Sequence, residues 1–240
     1  PGERKTVGYL TREFARLGLK PGNADSYVHP VPMIEIVSEA TGPVAISYAD
    51  GASDSLKIGD EAVIQTLRED AVSAVENSEL VFVGFGVNAP ELGWNDYAGI
   101  DVKGKTVLML VNDPGFETGD PELFRGKAMT YYGRWTYKYE EGARQGAAGV
   151  LVVHETDPAS YGWATVKNSN TNTMFDVVRK NPKDTHPQLE GWIQRDQAVA
   201  LFKNAGLDFD ALKKQAQTRD FQPVELKGET FSAKYAVDSR

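Results

Sequence analysis

Three unbroken apolar runs constrain this 240-residue chain more than any other feature. They are Leu80-Val81-Phe82-Val83, Thr106-Val107-Leu108-Met109-Leu110-Val111 and Gly149-Val150-Leu151-Val152-Val153. A strand with one face in water alternates apolar and polar residues. A short run without alternation reads as a strand covered on both faces, as in a parallel sheet lying between helices. Between the second and third runs, Trp135, Tyr139 and Ala143 fall at i, i+4 and i+8, and Gly146 is placed to end a helix. Strand, helix, strand predicts a right-handed crossover joining two parallel, adjacent strands. On that helix Trp135 and Tyr139 are expected to face the core, and Glu140 and Glu141 the solvent.

The flanking elements are shorter. Val7, Leu10, Phe14 and Leu17 share one face of a helix predicted over 5–17, with Gly18 as its stop and Pro21-Gly22 closing the turn. Strands are expected at 31–37 and 44–48, and a loop at 50–55. Further on, Gly191-Trp192-Ile193 precedes a helix predicted over 196–205, with Val199, Phe202 and Ala205 on its face and Gly206 at its end. Asp208 then caps a short helix carrying Phe209, Leu212 and Ala216. Period-two alternation over 230–238 reads as a strand. It stands at the last residues, needs a partner, and makes the chain read as a piece of a longer protein. The fold class is therefore mixed α/β (α+β), with more strand than helix in the middle.

Charge and composition exclude several function classes. The chain has 26 Lys+Arg against 34 Asp+Glu, a net charge of −8, which repels a phosphate backbone and argues against nucleic acid as a partner. No apolar run approaches the ~18 residues needed to span a membrane as a helix. Cysteine is absent, so thiol catalysis, disulfides and Cys-ligated zinc are excluded together.

Few residues suggest chemistry directly. Gly84-Phe85-Gly86-Val87-Asn88-Ala89 follows a buried strand and matches the dinucleotide-binding pattern of an oxidoreductase, but a pyrophosphate needs a helix next. Pro90, Gly93 and Gly99 oppose one, so a tight bend is the expected reading. His29, His154 and His186 lack the spacing of a metal site, and His154 at a strand end reads as a hydrogen-bonded structural residue. No G-x-S-x-G or S-x-x-K nucleophile motif occurs. The densest stretch is Met129 to Tyr139, with five aromatics and two cations in eleven residues. Tyr131, Tyr132, Arg134 and Trp135 in it are the candidate contact residues, since aromatic rings beside an Arg at a helix start suit a peptide or carboxylate.

Several stretches together resemble one family. Leu80-Val81-Phe82-Val83-Gly84-Phe85-Gly86-Val87-Asn88-Ala89-Pro90-Glu91, then Trp94-Asn95-Asp96-Tyr97-Ala98-Gly99-Ile100-Asp101-Val102-Lys103-Gly104-Lys105-Thr106-Val107, then Gly142-Ala143-Arg144-Gln145-Gly146-Ala147-Ala148-Gly149-Val150 are similar to the protease-associated domain of zinc-dependent aminopeptidases. That superfamily also holds glutamate carboxypeptidase II and the transferrin receptor. The resemblance covers most of the chain and is weakest between Asn168 and Leu189. It implies a central β-sheet or open barrel flanked by helices over 46–222. Residues 1–45 would be a helix and strand packing on the peptidase domain, and 223–240 a return strand towards it.

The family's zinc ligands, His-x-Asp first among them, have no counterpart here, so no catalytic or metal residue carries over. The resemblance implies a non-catalytic accessory region with no cofactor of its own, zinc being expected in the absent catalytic domain. Its partners would be that domain and a peptide substrate, and its location periplasmic or secreted. The first helix would be loosely held without its partner. The alternative is a free-standing peptide- or glycan-binding module. A His-x-Asp encoded shortly beyond Arg240 would separate the two.

Overall fold

The computed structural model describes residues 2–240. In chain order it contains α1 (Gly2–Arg16), β1 (Met33–Ala40), β2 (Ala45–Ser47), β3 (Ser53–Ser55), β4 (Ala62–Gln65), β5 (Val72–Phe82), β6 (Asn88–Ala89), β7 (Trp94–Asn95) and β8 (Thr106–Leu110). There follow α2 (Pro114–Thr118), α3 (Trp135–Arg144), β9 (Gly149–His154), α4 (Thr156–Ala159), α5 (Trp163–Asn170), β10 (Met174–Val177), β11 (Leu189–Gln194), α6 (Arg195–Asn204), α7 (Phe209–Gln215) and β12 (Val224–Ser239). The chain is mixed α/β, and one ten-stranded open sheet organises it in the order β10-β1-β12-β5-β8-β9-β11-β4, with β2 and β3 branching from β12.

The three apolar runs occupy the centre of that sheet. β5, β8, β9 and β11 are mutually parallel neighbours, and β8 and β9 lie side by side as the crossover pattern requires. Successive side chains on a strand point to opposite faces, so each unbroken run feeds two cores. Leu80, Phe82, Leu108, Leu110, Leu151 and Val153 join Leu201 and Phe202 of α6 and Phe209 of α7 on one side. Val81, Val107, Met109, Val150 and Val152 join Tyr139 of α3 and Val166 of α5 on the other. Asp208 caps α7 by accepting a hydrogen bond from the Ala211 amide at 2.9 Å. On α6 the fully buried face is Ala198, Leu201 and Phe202, while Val199 and Ala205 are only partly covered.

The antiparallel half is the less regular one. β12 pairs with β5, β2 and β1 in turn, so the alternating strand at 230–238 finds its partners within the chain and extends back to Val224. The predicted loop at 50–55 contains β3, whose Ser-Asp-Ser residues are all exposed and pair only with β2. Such residues bury nothing, so no hydrophobic pattern marks them.

α1 forms as its spacing predicts but buries no residue. Its ordered contacts are local: Phe14 lies 6.2 Å from the Tyr27 ring, and the Tyr27 hydroxyl donates to Leu19 O at 2.6 Å.

Candidate functional site

At and beyond the carboxyl ends of the parallel strands lie several buried polar side chains, Asp96, Asn112, Asp113 and His154 among them. Beyond β5 and β8 the chain turns sharply, at Gly84 and Gly86 in one case and at Asn112 in the other, all with positive φ. A Cβ on Gly86 would stand 2.8 Å from Met109 Sδ, so only glycine fits. The chain then enters β6 and a 3-10 turn at Pro90–Leu92 instead of a helix, which leaves no N-terminus to hold a pyrophosphate.

Turning so tightly leaves carbonyls pointing inward, and Lys138 of α3 answers them. Its Nζ donates to Phe85 O and, at 2.7 Å, to Asn112 O, and the side chain is fully buried. Asp96 supplies the opposing charge while accepting from Val87 N at 2.9 Å and Trp94 Nε1 at 2.8 Å. Burial pushes Asp96 up and Lys138 down, and the attraction between the two opposes both shifts. Asp113 caps α2 through Gly115 N at 3.2 Å and holds Thr130 through its amide at 3.1 Å and hydroxyl at 2.6 Å. Burial raises its carboxyl, and the Thr130 hydrogen bonds counter this. The hub thus ties the post-β5 loop, the post-β8 loop and α3 together.

Over this hub opens a recess of about 570 Å³ between the Pro90–Leu92 turn and residues 121–132. Tyr131 and Tyr132 line it. The Tyr131 hydroxyl donates to Glu140 Oε2 at 2.9 Å, and the Tyr132 hydroxyl donates to Glu91, which pushes its pKa up to about 12. Phe124 and Arg125 both adopt left-handed φ, 48° and 62°. This bend buries Phe124 edge-on between Trp94 and Tyr132 and leaves Arg125 on the wall of the recess.

The other two candidate residues lie elsewhere. Arg134 is exposed and makes no side-chain hydrogen bond or ion pair among the described residues. Trp135 is 36% exposed rather than in the core, edge-on to Tyr139 at 5.8 Å, and lines a separate recess of about 240 Å³ with Tyr161 and Trp192. Trp135 shares the side of α3 that carries Lys138 and Tyr139, but it is the first residue of the helix, and there its ring stays partly open. The face that carries Lys138 also buries Glu141, expected in solvent. Its carboxylate accepts from Arg144 Nε and Gln145 Nε2, both at 2.8 Å.

A second concavity has no sequence signal at all. After β9 the chain passes to the α5 side of the sheet, and after β11 to the α6 side. Adjacent parallel strands whose connections leave to opposite faces open a crevice at their carboxyl ends. Here it measures about 420 Å³ and is lined by Glu117, His154, Glu155, Arg195 and Lys213 among others. Its charges are largely mutual: Lys213 binds Glu155 at 2.8 Å and Glu117 at 2.9 Å, and Arg195 binds Glu155 at 3.2 Å and Asp210 at 2.6 Å. These residues span nearly a hundred positions, so no local motif joins them.

The histidines divide by environment. His154 Nε2 sits 3.0 Å from Tyr161 O. A carbonyl only accepts, so Nε2 carries a proton, and burial lowers the pKa of the ring. His154 is thus a hydrogen-bonded structural residue, as expected. His186 lies between Glu190 and Asp176, each at 3.1 Å. Burial pulls its pKa down, but the two carboxylates outweigh this and leave it raised. His29 is exposed. Among the described residues no three His, Asp or Glu side chains are grouped to hold a metal ion.

No protein-family model matches the chain, and no curated protein does. Among solved structures, an aminopeptidase from Aneurinibacillus sp. strain AM-1 is similar, with 18% identity and a TM-score of 0.38. The match covers all of this chain and 40% of that one, so the chain spans less than half of its length.

Proposed function

We propose that this chain is a non-catalytic accessory region, a protease-associated domain belonging to a zinc aminopeptidase-like protein. The observation that carries the reading is α1. It is an ordered helix whose apolar stripe, Val7, Leu10, Phe14 and Leu17, stays between 37% and 62% exposed. Such a stripe on a soluble body marks a contact surface. The sequence resemblance supplies the partner: a peptidase domain, on which residues 1–45 pack and towards which residues 223–240 return, with 46–222 as the accessory domain. The recess lined by Tyr131 and Tyr132 then faces the peptide substrate, and Arg134 lies outside it. Among the described residues no three His, Asp or Glu side chains are grouped to hold zinc, and the reading places no hydrolytic step on this chain. Zinc belongs to the peptidase domain, and the location is periplasmic or secreted.

A free-standing binding module is the second reading. Its support is that β12 is paired along its length by β5, β2 and β1, so the sheet needs no outside strand.

Zinc content and the release of chromophore from aminoacyl nitroanilides test the first reading directly. The purified 240-residue chain, supplied with zinc, is expected to retain no stoichiometric metal and to show no turnover. Stoichiometric zinc together with turnover would overturn it.

A further inference from the structure

The recess that holds Trp135 has a different chemistry from the one under Tyr131. Three aromatic side chains shape it. Trp135 is 36% exposed, Tyr161 is partly exposed, and Trp192 is 1% exposed at the base. One wall is the outer face of α5, which presents Thr165, Ser169 and Asn170. The Asn170 amide donates from Nδ2 to Val166 O at 2.7 Å, which fixes its orientation and leaves Oδ1 free. The Thr165 and Ser169 hydroxyls take no hydrogen bond among the described residues. No charged side chain lines the recess.

From this lining we infer that the Trp135–Tyr161–Trp192 recess is a binding site for one neutral sugar ring of a glycan. Each alternative leaves something unmatched. An ionic ligand would lose its hydration with no opposite charge to replace it. A purely apolar side chain would cover two hydroxyls and an amide oxygen without pairing them. A pyranose offers both surfaces at once: an axial C–H face for the indole of Trp135, and hydroxyls for Thr165, Ser169 and Asn170 Oδ1. The volume of about 240 Å³ suits a single ring rather than an oligosaccharide. The site is built by this chain alone, its residues coming from α3, the segment before α5, α5, β10 (Met174) and β11.

The test is a titration of the isotope-labelled chain with the methyl glycosides of glucose, galactose, mannose and N-acetylglucosamine, read by amide shifts and saturation transfer. At least one is expected to bind saturably with a Kd of about millimolar. The shifts should centre on Trp135, Ser169 and Asn170. Trp135→Ala is expected to weaken binding about tenfold or more and Ser169→Ala severalfold, while Val72→Ala, an exposed position that lines neither recess, changes nothing. Trp135 is partly exposed, so its loss leaves the fold intact, which circular dichroism checks. If none of the four glycosides saturates, or if Trp135→Ala binds as well as the parent, the assignment falls. It falls equally if N-acetyl-leucinamide shifts these residues and the sugars do not.

Discussion

α1 and α3 make an instructive pair. Both are amphipathic by spacing, and both form. α1 buries no residue, whereas α3 buries five of its ten, among them Lys138 and Glu141. A periodic apolar stripe shows that a helix has a preferred face. It does not show what covers that face, nor that the polar residues between its members stay in water. In α1 the stripe remains open. In α3 the tertiary structure reaches past the stripe and recruits an ammonium group, because two tight loops have turned their carbonyls inward.

The largest expected effect follows from that ammonium. Lys138→Ala would leave Phe85 O and Asn112 O buried without their donor, and the Asp96 carboxylate without the nearby charge that attracts it. Removing one member of a buried ionic network costs roughly 3–5 kcal/mol. Urea unfolding should register that loss, and amide shifts should show the 84–88 and 111–130 loops moving together. A loss below about 1 kcal/mol would mean that water reaches the hub and that Lys138 is not the tie between the loops.

One substitution made in both helices sharpens the contrast, because its sign should differ. A Cβ on Gly142 of α3 would stand 2.3 Å from Val150 Cγ2, beneath the sheet, whereas one on Gly8 of α1 meets only Arg12 Nη1 at 3.5 Å. Gly142→Ala is therefore expected to destabilise by about 1–3 kcal/mol through overpacking, despite the better helix propensity of alanine. Gly8→Ala is expected to slow amide exchange within α1, since the new methyl meets only ordinary contact and replacing a helical glycine gains about 0.5–1 kcal/mol. Equal signs at the two positions would erase the distinction between a packed and an unpacked helix.

What was legible in the sequence follows the same line. The parallel centre was readable because burial on both faces leaves no room for polar residues, and an unbroken run such as 106–111 records that. β3, β4 and β10 were not. β3 is all exposed, β4 is four residues long, and β10 is half-covered, so none carries a two-residue period. At the candidate site, the density of aromatics drew attention to Tyr131 and Tyr132, which do share a recess. Helical spacing placed Trp135 and Tyr139 on one side; Tyr139 is buried there, while Trp135, at the first residue of α3, stays partly open because spacing does not show where cover ends. The charged crevice at β9 and β11 was invisible, since Glu117, Glu155, Arg195 and Lys213 meet only through the topology of the sheet.

The smallest expected effect is also the one that bears most on function. Leu10→Ser and Phe14→Ser, made together, remove half of the α1 stripe. In a packed helix such a pair would cost several kcal/mol, since each large apolar residue deleted from a core costs about 2–5 kcal/mol. Here Leu10 is 43% exposed and Phe14 37%, and α1 buries no residue. The urea midpoint of the body should therefore stay within about 0.5 kcal/mol of the parent, the range of ordinary surface changes. Amide exchange in α1 should be fast against α3, and faster still in the double variant, because the helix is held by its own hydrogen bonds and by little else. Slow exchange in α1, or a body destabilised by the two serines, would show that the helix is packed in solution. The exposed stripe would then no longer support a docking role.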